Sequence, residues 1–370
     1  MIYDPDMTES IQRTSLANQV VEILTAAIHR QEWKDRLPGE RSLCERYQVS
    51  RPTMRSALAI LKRRGFIRIV PRHSSRILAH HGKRTVQPAP RAIGLVLGLP
   101  FQNIPHWNLQ FIGMLEQHLN AAGYTWAVHT LAHSPHRSAE SDATNLIAAN
   151  PLACWALAFV SRDIQRHCVK TGLPTLVLGS CYPGIRLPSF DIAYQAVGRH
   201  SAATLLRLGH RRVVWTCPQP AFGGDLLAEQ GFIEALHTAS IPDITPIIVH
   251  HAEAPEELQQ AIHKHWNQPA PPTAVVATSP RHALTLAGIL LQQGLHIPRD
   301  VSIICLRDDA FLSYCVPPFA RYTADPDRAA KRCTRALIQL ASAGALRSPQ
   351  IRVDAQFIEG GTLAPARTTA

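Results

Sequence analysis

Basic side chains are the chemically distinctive feature of this sequence, and they are concentrated at one end of it. Residues 1–91 contain 17 lysines and arginines against 8 acidic residues, so this segment carries nine of the eleven excess positive charges. Residues 92–370 are nearly neutral. Such a concentration of positive charge serves to neutralise phosphates. The distribution therefore indicates a nucleic-acid-binding module joined to a larger module with a different task.

Cysteine and histidine offer other chemistry, but their spacing does not favour it. The eight cysteines include no Cys-x-x-Cys pair, so buried reduced thiols are favoured over a zinc or disulfide framework. The doublets His80-His81 and His250-His251 lack a third ligand at a useful spacing, and no metal or other cofactor is expected. No Gly-x-Gly-x-x-Gly loop, Walker-type loop, Ser-His-Asp arrangement or spaced carboxylate pair stands out, so an enzyme is not expected.

The basic segment has the pattern of a small folded domain, predicted over residues 15–79. Residues 1–14 are polar without a period and are expected to be disordered. An amphipathic helix begins near Ser15, a turn at 37–41 opens a second short helix, and Ser50 can cap a third. The buried stripe of the third helix is formed by Met54, Ala57, Leu58 and Leu61. Residues 66–70 and 76–78 can then pair as a hairpin.

Residues 80–91 form a polar, proline-bearing stretch that is interpreted as a linker. Beyond it, short apolar runs alternate with amphipathic helical segments, which predicts parallel α/β sheets in two lobes over 92–370. The predicted strands are 93–97, 155–160, 175–178, 213–216, 247–250, 274–277 and 301–306. The predicted helices are 108–122, 194–208, 226–239, 255–267 and 281–293. Ligands of such sheets bind beyond the carboxyl ends of the strands.

No run approaches 18 apolar residues, and the first 20 residues carry polar and acidic groups throughout. A membrane span and a secretory leader are therefore not expected, and the predicted location is the bacterial cytoplasm, on the nucleoid when bound to DNA.

The first segment resembles the GntR family of winged-helix regulators. The resemblance covers about 65 residues and lies in Leu37-Pro-Gly-Glu-Arg-Ser-Leu, Val49-Ser-Arg-Pro-Thr-Met-Arg-Ser-Ala-Leu, Leu61 and Gly65-Phe-Ile. It implies a winged helix-turn-helix fold that binds double-stranded operator DNA. By position, it implies that the DNA contacts are made by Arg41, Ser50, Arg51, Thr53 and Arg55. Arginine pairs bidentately with guanine, and hydroxyls at a helix N-terminus suit phosphates.

Two positions depart from the family pattern. Pro52 replaces a frequent hydroxyl residue, and the usually glycine-rich wing tip reads Pro71-Arg-His-Ser-Ser-Arg. Arg72 and His73 are candidates for entering or skirting a minor groove. The alternative interpretation of Arg41, Ser50, Arg51, Thr53 and Arg55 is a solvated helix face.

The second part resembles the LacI-type effector domain, which is itself similar to periplasmic sugar-binding proteins. The resemblance is spread over residues 92–363 and is carried by Leu205-Leu-Arg-Leu-Gly-His-Arg-Arg-Val, by Ile297-Pro-Arg-Asp-Val-Ser-Ile-Ile-Cys-Leu-Arg-Asp-Asp and by Pro317-Pro318. It implies two lobes with a small-molecule effector, carbohydrate in character, between them. Together with the first segment, the arrangement is similar to arabinose-type repressors.

Effector-binding residues transfer less well from this resemblance. Ser279-Pro280 stands where the family has Asn-Asp, and Ala228 stands where an arginine usually grips sugar hydroxyls. Asp308 remains as the candidate acceptor of hydroxyl hydrogens, against the alternatives of a strand-end cap or an inter-lobe salt bridge. The other candidates are the rings of Phe101, Trp107 and Phe222, which could instead lie in the core, and Ser279.

These expectations combine into a homodimeric repressor whose operator affinity is changed by an effector. Two rival hypotheses stay open. In one, the regulator is effector-independent and keeps the second domain only for dimerisation. In the other, the chain is an enzyme or a transport-type binding protein with an incidental basic head.

Overall fold

The computed structural model describes residues 16–29, 32–33, 36–63, 66–68, 75–77, 91–131, 139–150, 152–239 and 241–367. The chain divides into two compact units, Met1–Gln87 and Pro88–Ala370. The predicted disordered segment 1–14, most of the predicted linker 80–91, and the wing-tip residues Arg72 and His73 lie outside the described residues.

The first unit is a three-helix domain with a short hairpin, as the sequence predicts. Its elements are α1 (Leu16–His29), α2 (Glu40–Tyr47), α3 (Arg51–Arg63), β1 (Ile67–Arg68) and β2 (Arg76–Ile77). The two strands pair antiparallel, with Ile67 opposite Ile77. One apolar cluster joins all three helices to the hairpin, and it includes Val20, Leu24, Leu43, Met54, Ala57, Leu61, Ile67 and Ile77. The helical periodicity of these side chains therefore holds α3 with its opposite face exposed.

The second unit contains two parallel α/β sheets. The first lobe is formed by β3 (Ala92–Leu97), α4 (His106–Ala121), β4 (Thr125–Thr130), α5 (Ala139–Ala149), β5 (Cys154–Ala158), α6 (Arg162–Thr171), β6 (Thr175–Leu178) and β7 (Ser189–Ile192). The second lobe is formed by α7 (Tyr194–Arg207), β8 (Arg212–Pro218), α8 (Gly223–Thr238), β9 (Thr245–His251), α9 (Pro255–Trp266), β10 (Ala274–Ala277), α10 (Pro280–Gln292), β11 (Ser302–Cys305) and β12 (Ala320–Thr323).

The chain then returns to the first lobe and crosses once more. Helix α11 (Pro326–Ala343) packs on the first-lobe core and is followed by β13 (Gln350–Val353), while β14 (Gln356–Ile358) joins the second lobe. The strand orders are β13-β7-β6-β5-β3-β4 and β14-β12-β11-β10-β8-β9, and every neighbouring pair is parallel except β12 with β14. The polypeptide thus passes between the lobes three times, near residues 193, 324–325 and 354–355.

The predicted two-lobed α/β architecture is confirmed, but the sequence pattern missed several elements. All seven predicted strands and five predicted helices correspond to elements of the second unit, with ends that differ by at most three residues. The missed elements are β4, α5, α6, β7, α11 and β12 to β14. Strand β4 is a half-exposed sheet edge, and Ser189 and Asp191 interrupt the apolar character of β7. Short strands of this kind give no continuous apolar run to detect.

Two further features bear on function. No helix among the described residues is long and apolar enough to cross a membrane. The eight cysteines are free thiols, and five of them are buried.

Candidate functional site

The exposed face of α3 opens with a hydroxyl cap. Ser50 Oγ lies 3.4 Å from the Thr53 amide nitrogen and 2.8 Å from Thr53 Oγ1, so the serine satisfies a free N–H at the helix start. Before it, Gln48 adopts a left-handed conformation with φ of 53°, and the Val49 N–H donates to the Cys44 carbonyl. This short turn fixes the orientation of α3 relative to α2 and leaves Ser50 and Arg51 exposed.

The arginines of this face differ in their partners. Arg41 pairs with Glu45 at 3.0 Å, and Arg55 pairs across the helices with Glu40 at 2.8 Å. Arg51 is exposed and makes no ion pair or side-chain hydrogen bond with any residue that the structure describes. The Arg55–Glu40 contact brings the starts of α2 and α3 together. Five of the predicted DNA-contacting residues, Arg41, Ser50, Arg51, Thr53 and Arg55, therefore lie at the starts of these two helices.

A cavity of about 300 Å³ lies between the two lobes of the second unit. Its wall includes residues that lie one or two positions past strands of both sheets, such as Phe159 after β5, Ser180 after β6 and Arg307 after β11. Its polar lining comprises Asn103, Asn108, Gln165, Ser180, Tyr182, Asp191, Tyr194, Gln219, Asp225, Glu253, Ser279, Arg281 and Arg307. The position agrees with the rule that parallel sheets bind ligands at the carboxyl ends of their strands.

A buried ion pair stiffens the second-lobe wall of this cavity. Arg307 Nη2 donates to Asp225 Oδ1 at 2.5 Å, and Nη1 donates to the Thr278 carbonyl at 2.5 Å. The guanidinium also lies over the Tyr194 ring, 4.9 Å from its centroid. Asp225 Oδ2 accepts from the Phe222 N–H at 2.9 Å, which caps α8. The carboxylate beside it raises the pKa of Arg307 further above its usual value.

The first-lobe wall presents a carboxylate that has no cationic partner. Asp191 Oδ2 accepts from the Ser180 hydroxyl at 2.7 Å, and Oδ1 accepts from the Ile192 N–H at 2.8 Å. Among the described residues, no lysine, arginine or histidine forms an ion pair with it. Burial raises the pKa of this carboxyl group from 3.8 to about 6, although those hydrogen bonds and the nearby guanidiniums of Arg307 and Arg352 act in the opposite direction.

The two lobes touch at the edge of the cavity. The Phe159 ring of the first lobe meets the Phe222 ring of the second edge-on, with centroids 5.7 Å apart. Gly223, the first residue of α8, lies so close to the Ser180 backbone that an added Cβ would come within 2.3 Å of the Ser180 carbonyl oxygen. Phe159 itself holds a left-handed φ of 55°, a strained conformation typical of functional sites. The structure therefore shows the lobes in contact around the cavity.

Two of the five predicted effector residues line the cavity, namely Phe222 and Ser279. Asp308 is instead used within the second lobe, where Arg321 Nε donates to its Oδ1 at 2.6 Å. Trp107 stacks on Phe111 in the first-lobe core and donates to the Ala324 carbonyl at 2.6 Å.

Phe101 lies in a short 3-10 turn, is 51% exposed and is not among the residues that line the cavity. Asp308, Trp107 and Phe101 do not line this cavity, so their contact with an effector stays a prediction that this geometry does not favour. Asp308 is paired with Arg321 of an adjacent strand, Trp107 packs partly buried against the first-lobe core, and Phe101 is exposed.

The residues that dominate the cavity were not predicted. Ala228, the position expected to carry an arginine, is buried in the packing of the second lobe, and Arg307 supplies the guanidinium instead. One signal was present, because Arg307 directly precedes Asp308 at the end of a predicted strand. The Phe222-x-x-Asp225 spacing also resembles a helix cap. Asp191 gave no signal, since it lies in a strand that the apolar pattern did not reveal.

Comparison with known proteins agrees with this geometry. Residues 16–77 match the family of bacterial regulatory proteins called gntR, and residues 202–363 match the periplasmic binding protein-like domain. The chain is 32% identical to a probable opine utilization operon repressor of Rhizobium rhizogenes over 137 residues, 35% of this chain and 67% of that protein.

The chain belongs to the GntR family of bacterial regulatory proteins. This GntR regulator is also 24% identical to the arabinose metabolism transcriptional repressor of Geobacillus stearothermophilus over 320 residues, 78% of this chain and 81% of the relative. The relatives are transcription regulators, as the sequence predicts, and this chain is a DNA-binding regulator.

A solved structure shows the same fold. The lac repressor dimer bound to operator and an anti-inducer superposes with a TM-score of 0.65 at 17% identity, covering 75% of this GntR regulator and 96% of that chain. The predicted LacI-like two-lobed fold of the second unit is therefore confirmed.

Proposed function

We propose that this regulator is a repressor whose affinity for operator DNA is controlled by a small polar molecule bound between the lobes of the second unit. The single observation that carries the proposal is the 300 Å³ cavity at the carboxyl ends of both sheets. Its volume lies at the lower end of the range of small-molecule sites, about 300–1,000 Å³. Its lining mixes aromatic rings with amides, hydroxyls and charged groups, as a site for a carbohydrate-like effector requires.

The DNA contacts are proposed to come from the start of α3 and the neighbouring start of α2. Arg51 is the strongest candidate for a base contact because its guanidinium is exposed and has no partner among the described residues. Ser50 and Thr53 suit phosphate contacts at the helix N-terminus. Arg41 and Arg55 have to exchange their carboxylate partners for phosphates, and Arg72 and His73 remain candidates for the wing.

The cavity supports effector control because both lobes contribute to it. A ligand that contacts both walls favours one relative placement of the lobes over others, and only such differential contact can shift an equilibrium. The coupling between effector and operator is expected to be about 1–3 kcal/mol, acting equally in both directions. The effector-independent alternative loses its main motivation, because Arg307, Asp225 and Asp191 replace the polar groups that the sequence pattern lacked.

The regulator is proposed to act as a homodimer in the bacterial cytoplasm. Four large apolar side chains of the second lobe are exposed, Leu284 and Leu291 on α10 and Tyr314 and Val316 after β11, the last two by 85% and 99%. Exposed apolar groups of this size mark interaction surfaces. The operator-bound lac repressor of similar fold is a dimer. A dimer would present two winged helices to two operator half-sites.

The test combines ligand screening with operator binding by the full-length protein. Genomic footprinting identifies an operator, and a thermal-shift screen of sugars and sugar derivatives identifies stabilising compounds. A stabilising compound is expected to weaken operator binding by about 5- to 150-fold in fluorescence anisotropy. Ser279→Phe, which fills the cavity, should abolish the thermal shift and retain DNA binding. A stabilising compound that leaves operator affinity unchanged would refute effector control.

A further inference from the structure

The charged groups of the cavity wall do not balance. Three carboxylates line it, Asp191, Asp225 and Glu253, against two guanidiniums, Arg281 and Arg307. Arg307 is matched by Asp225 at 2.5 Å, and Arg281 is matched by Glu253 at 3.1 Å. Asp191 is the carboxylate that remains unmatched. An unpaired buried charge is costly, so the wall is complementary to a ligand that carries a positive charge.

The charged and titratable groups that interact with Asp191 are Arg307, Arg352, Tyr194 and Cys181, and none of them forms an ion pair with it. Arg307 is held by Asp225 and Tyr194, and Arg352 of β13 donates to Ser189 Oγ at 3.0 Å and to its own neighbour's carbonyl. Ser180 and the Ile192 amide each occupy one lone pair of the carboxylate. Each carboxylate oxygen of Asp191 can accept more than one hydrogen bond, so both oxygens keep a free acceptor position for a ligand in the cavity.

Aromatic rings surround the same space. Phe159, Phe222, Tyr182 and Tyr194 all line the cavity, and the first two meet edge-on at 5.7 Å. Ring faces attract cations, most strongly where water is excluded. An unmatched carboxylate among aromatic rings is the arrangement that recognises an ammonium group. A divalent metal would need several oxygen or nitrogen ligands, and within the described ranges no group of three such side chains is positioned to hold one.

Building on the proposed function, we propose that Asp191 binds the ammonium group of an amine-bearing effector, of which an amino sugar is the carbohydrate form. The ammonium donates hydrogen bonds to the free lone pairs of Asp191 and supplies the missing charge. A neutral hydroxyl would supply only the hydrogen bond. The amides and hydroxyls elsewhere in the wall, such as Asn108, Gln165 and Gln219, then contact the uncharged part of the ligand.

The experiment uses matched amine and hydroxyl probes with the full-length protein. Glucosamine, galactosamine and putrescine are compared with glucose, galactose and butane-1,4-diol by thermal shift and calorimetry. The amine members are expected to bind, and their hydroxyl counterparts to bind much more weakly. Asp191→Asn keeps the shape of the side chain and should weaken amine binding by about thirtyfold or more. Asp163→Asn, an exposed carboxylate on α6 outside the cavity, is the matched control and should leave binding unchanged.

A ligand-free measurement tests the same assignment. The folded-state pKa of Asp191, about 6, lies above its ordinary value of 3.8, so ionisation of this group opposes folding. Its contribution to stability is complete below pH 4 and is lost as the pH rises through 6. Asp191→Asn should therefore have the same Tm as the wild type near pH 4 and a higher Tm at pH 7 to 8. A carboxylate needed only to hold Ser180 and Ile192 would make the variant less stable at every pH.

The outcomes separate this inference from the proposed function. Neutral probes that bind as well as amines, with affinity retained in Asp191→Asn, would overturn the amine assignment and leave the effector site in place. Absence of a thermal shift with either series would contradict both. Amine binding that is lost in Asp191→Asn, together with the pH-dependent gain in Tm, supports the inference.

Discussion

The two units of this regulator use arginine in opposite ways. On α3 of the first unit, Arg51 is exposed and unpaired among the described residues, and its neighbours Arg41 and Arg55 pair with one exposed and one half-exposed carboxylate. In the second unit, Arg307 is 22% exposed, pairs with a carboxylate that is 5% exposed, and stacks on Tyr194. The first surface keeps its charges available, whereas the second matches them internally.

This difference follows from what each site contacts. A polyanion supplies many phosphates at once, so solvated arginines gain by releasing counterions and need no partner of their own. A small ligand binds in a cavity from which water is largely excluded, where an unmatched charge is costly. Each charged group of the wall must therefore be paired within the protein or paired with the ligand. Asp191 is the one carboxylate of the wall left without a cation among the described residues, and it therefore indicates that the ligand carries a positive charge. The exposed Arg51 indicates which surface of the first unit faces the phosphates and bases of DNA.

The largest expected difference between the units is in salt dependence. If two heads together contact about six phosphates, operator affinity should fall by about 10³-fold between 50 and 200 mM salt. Effector affinity should change far less over the same range, because the cavity charges are buried or paired. Fluorescence anisotropy and calorimetry measure the two affinities. A shallow slope for DNA would contradict the surface assigned to α3.

Removal of a buried partner should be the next largest effect. Asp225→Ala leaves the Arg307 guanidinium unpaired and is expected to lower the free energy of unfolding of the second unit by about 3–5 kcal/mol. Urea unfolding monitored by tryptophan fluorescence measures it, since Trp215 is fully buried in that lobe. Glu253→Ala breaks the exposed pair with Arg281 and should cost at most about 1 kcal/mol. Equal losses would mean that the Arg307 pair is effectively solvated.

Arg51→Ala should reduce operator affinity by about 1–3 kcal/mol and relax selectivity at one base pair, because the guanidinium would read a base edge. Anisotropy with the operator and with single-base variants of it measures both effects. Arg166→Ala removes an equal charge from the surface of the second unit and serves as the control. A uniform loss across all operator variants would show that Arg51 contacts phosphate only.

Gly223→Ala should have the smallest effect of the four, a reduction of effector affinity by about tenfold. The added methyl group would come within 2.3 Å of the Ser180 carbonyl oxygen, so the lobes could not approach as they do here. Calorimetry with a stabilising compound measures the change. Gly113→Ala on α4, where an added Cβ meets no atom within 4 Å, is the matched control. Unchanged affinity in Gly223→Ala would mean that binding does not require this contact.

The candidate residues of the two sites differed in how far the sequence could predict them. Ser50, Arg51, Thr53 and Arg55 lie within one helical turn and a half, so their joint placement follows from local helical periodicity. Asp191, Asp225 and Arg307 are separated by up to 116 positions, and their meeting depends on how strand ends of two sheets are arranged. The periodicity of apolar residues within one segment does not predict how strand ends from distant segments are arranged. Asp308 was chosen over Arg307 because the direction of side chains past a strand end is not visible in the sequence.

The sequence by itself determined that there are two modules, that one is basic and helical and that the other alternates strands with helices. These properties depend on composition and short-range periodicity, which the chain carries locally. Only the tertiary structure decided which carboxylates are matched, because pairing depends on side chains brought together by three crossings of the chain between the lobes. The specificity proposed for the cavity therefore lies in the packing of distant segments, whereas the α3 residues proposed to contact DNA share one face because of the periodicity of a single helix.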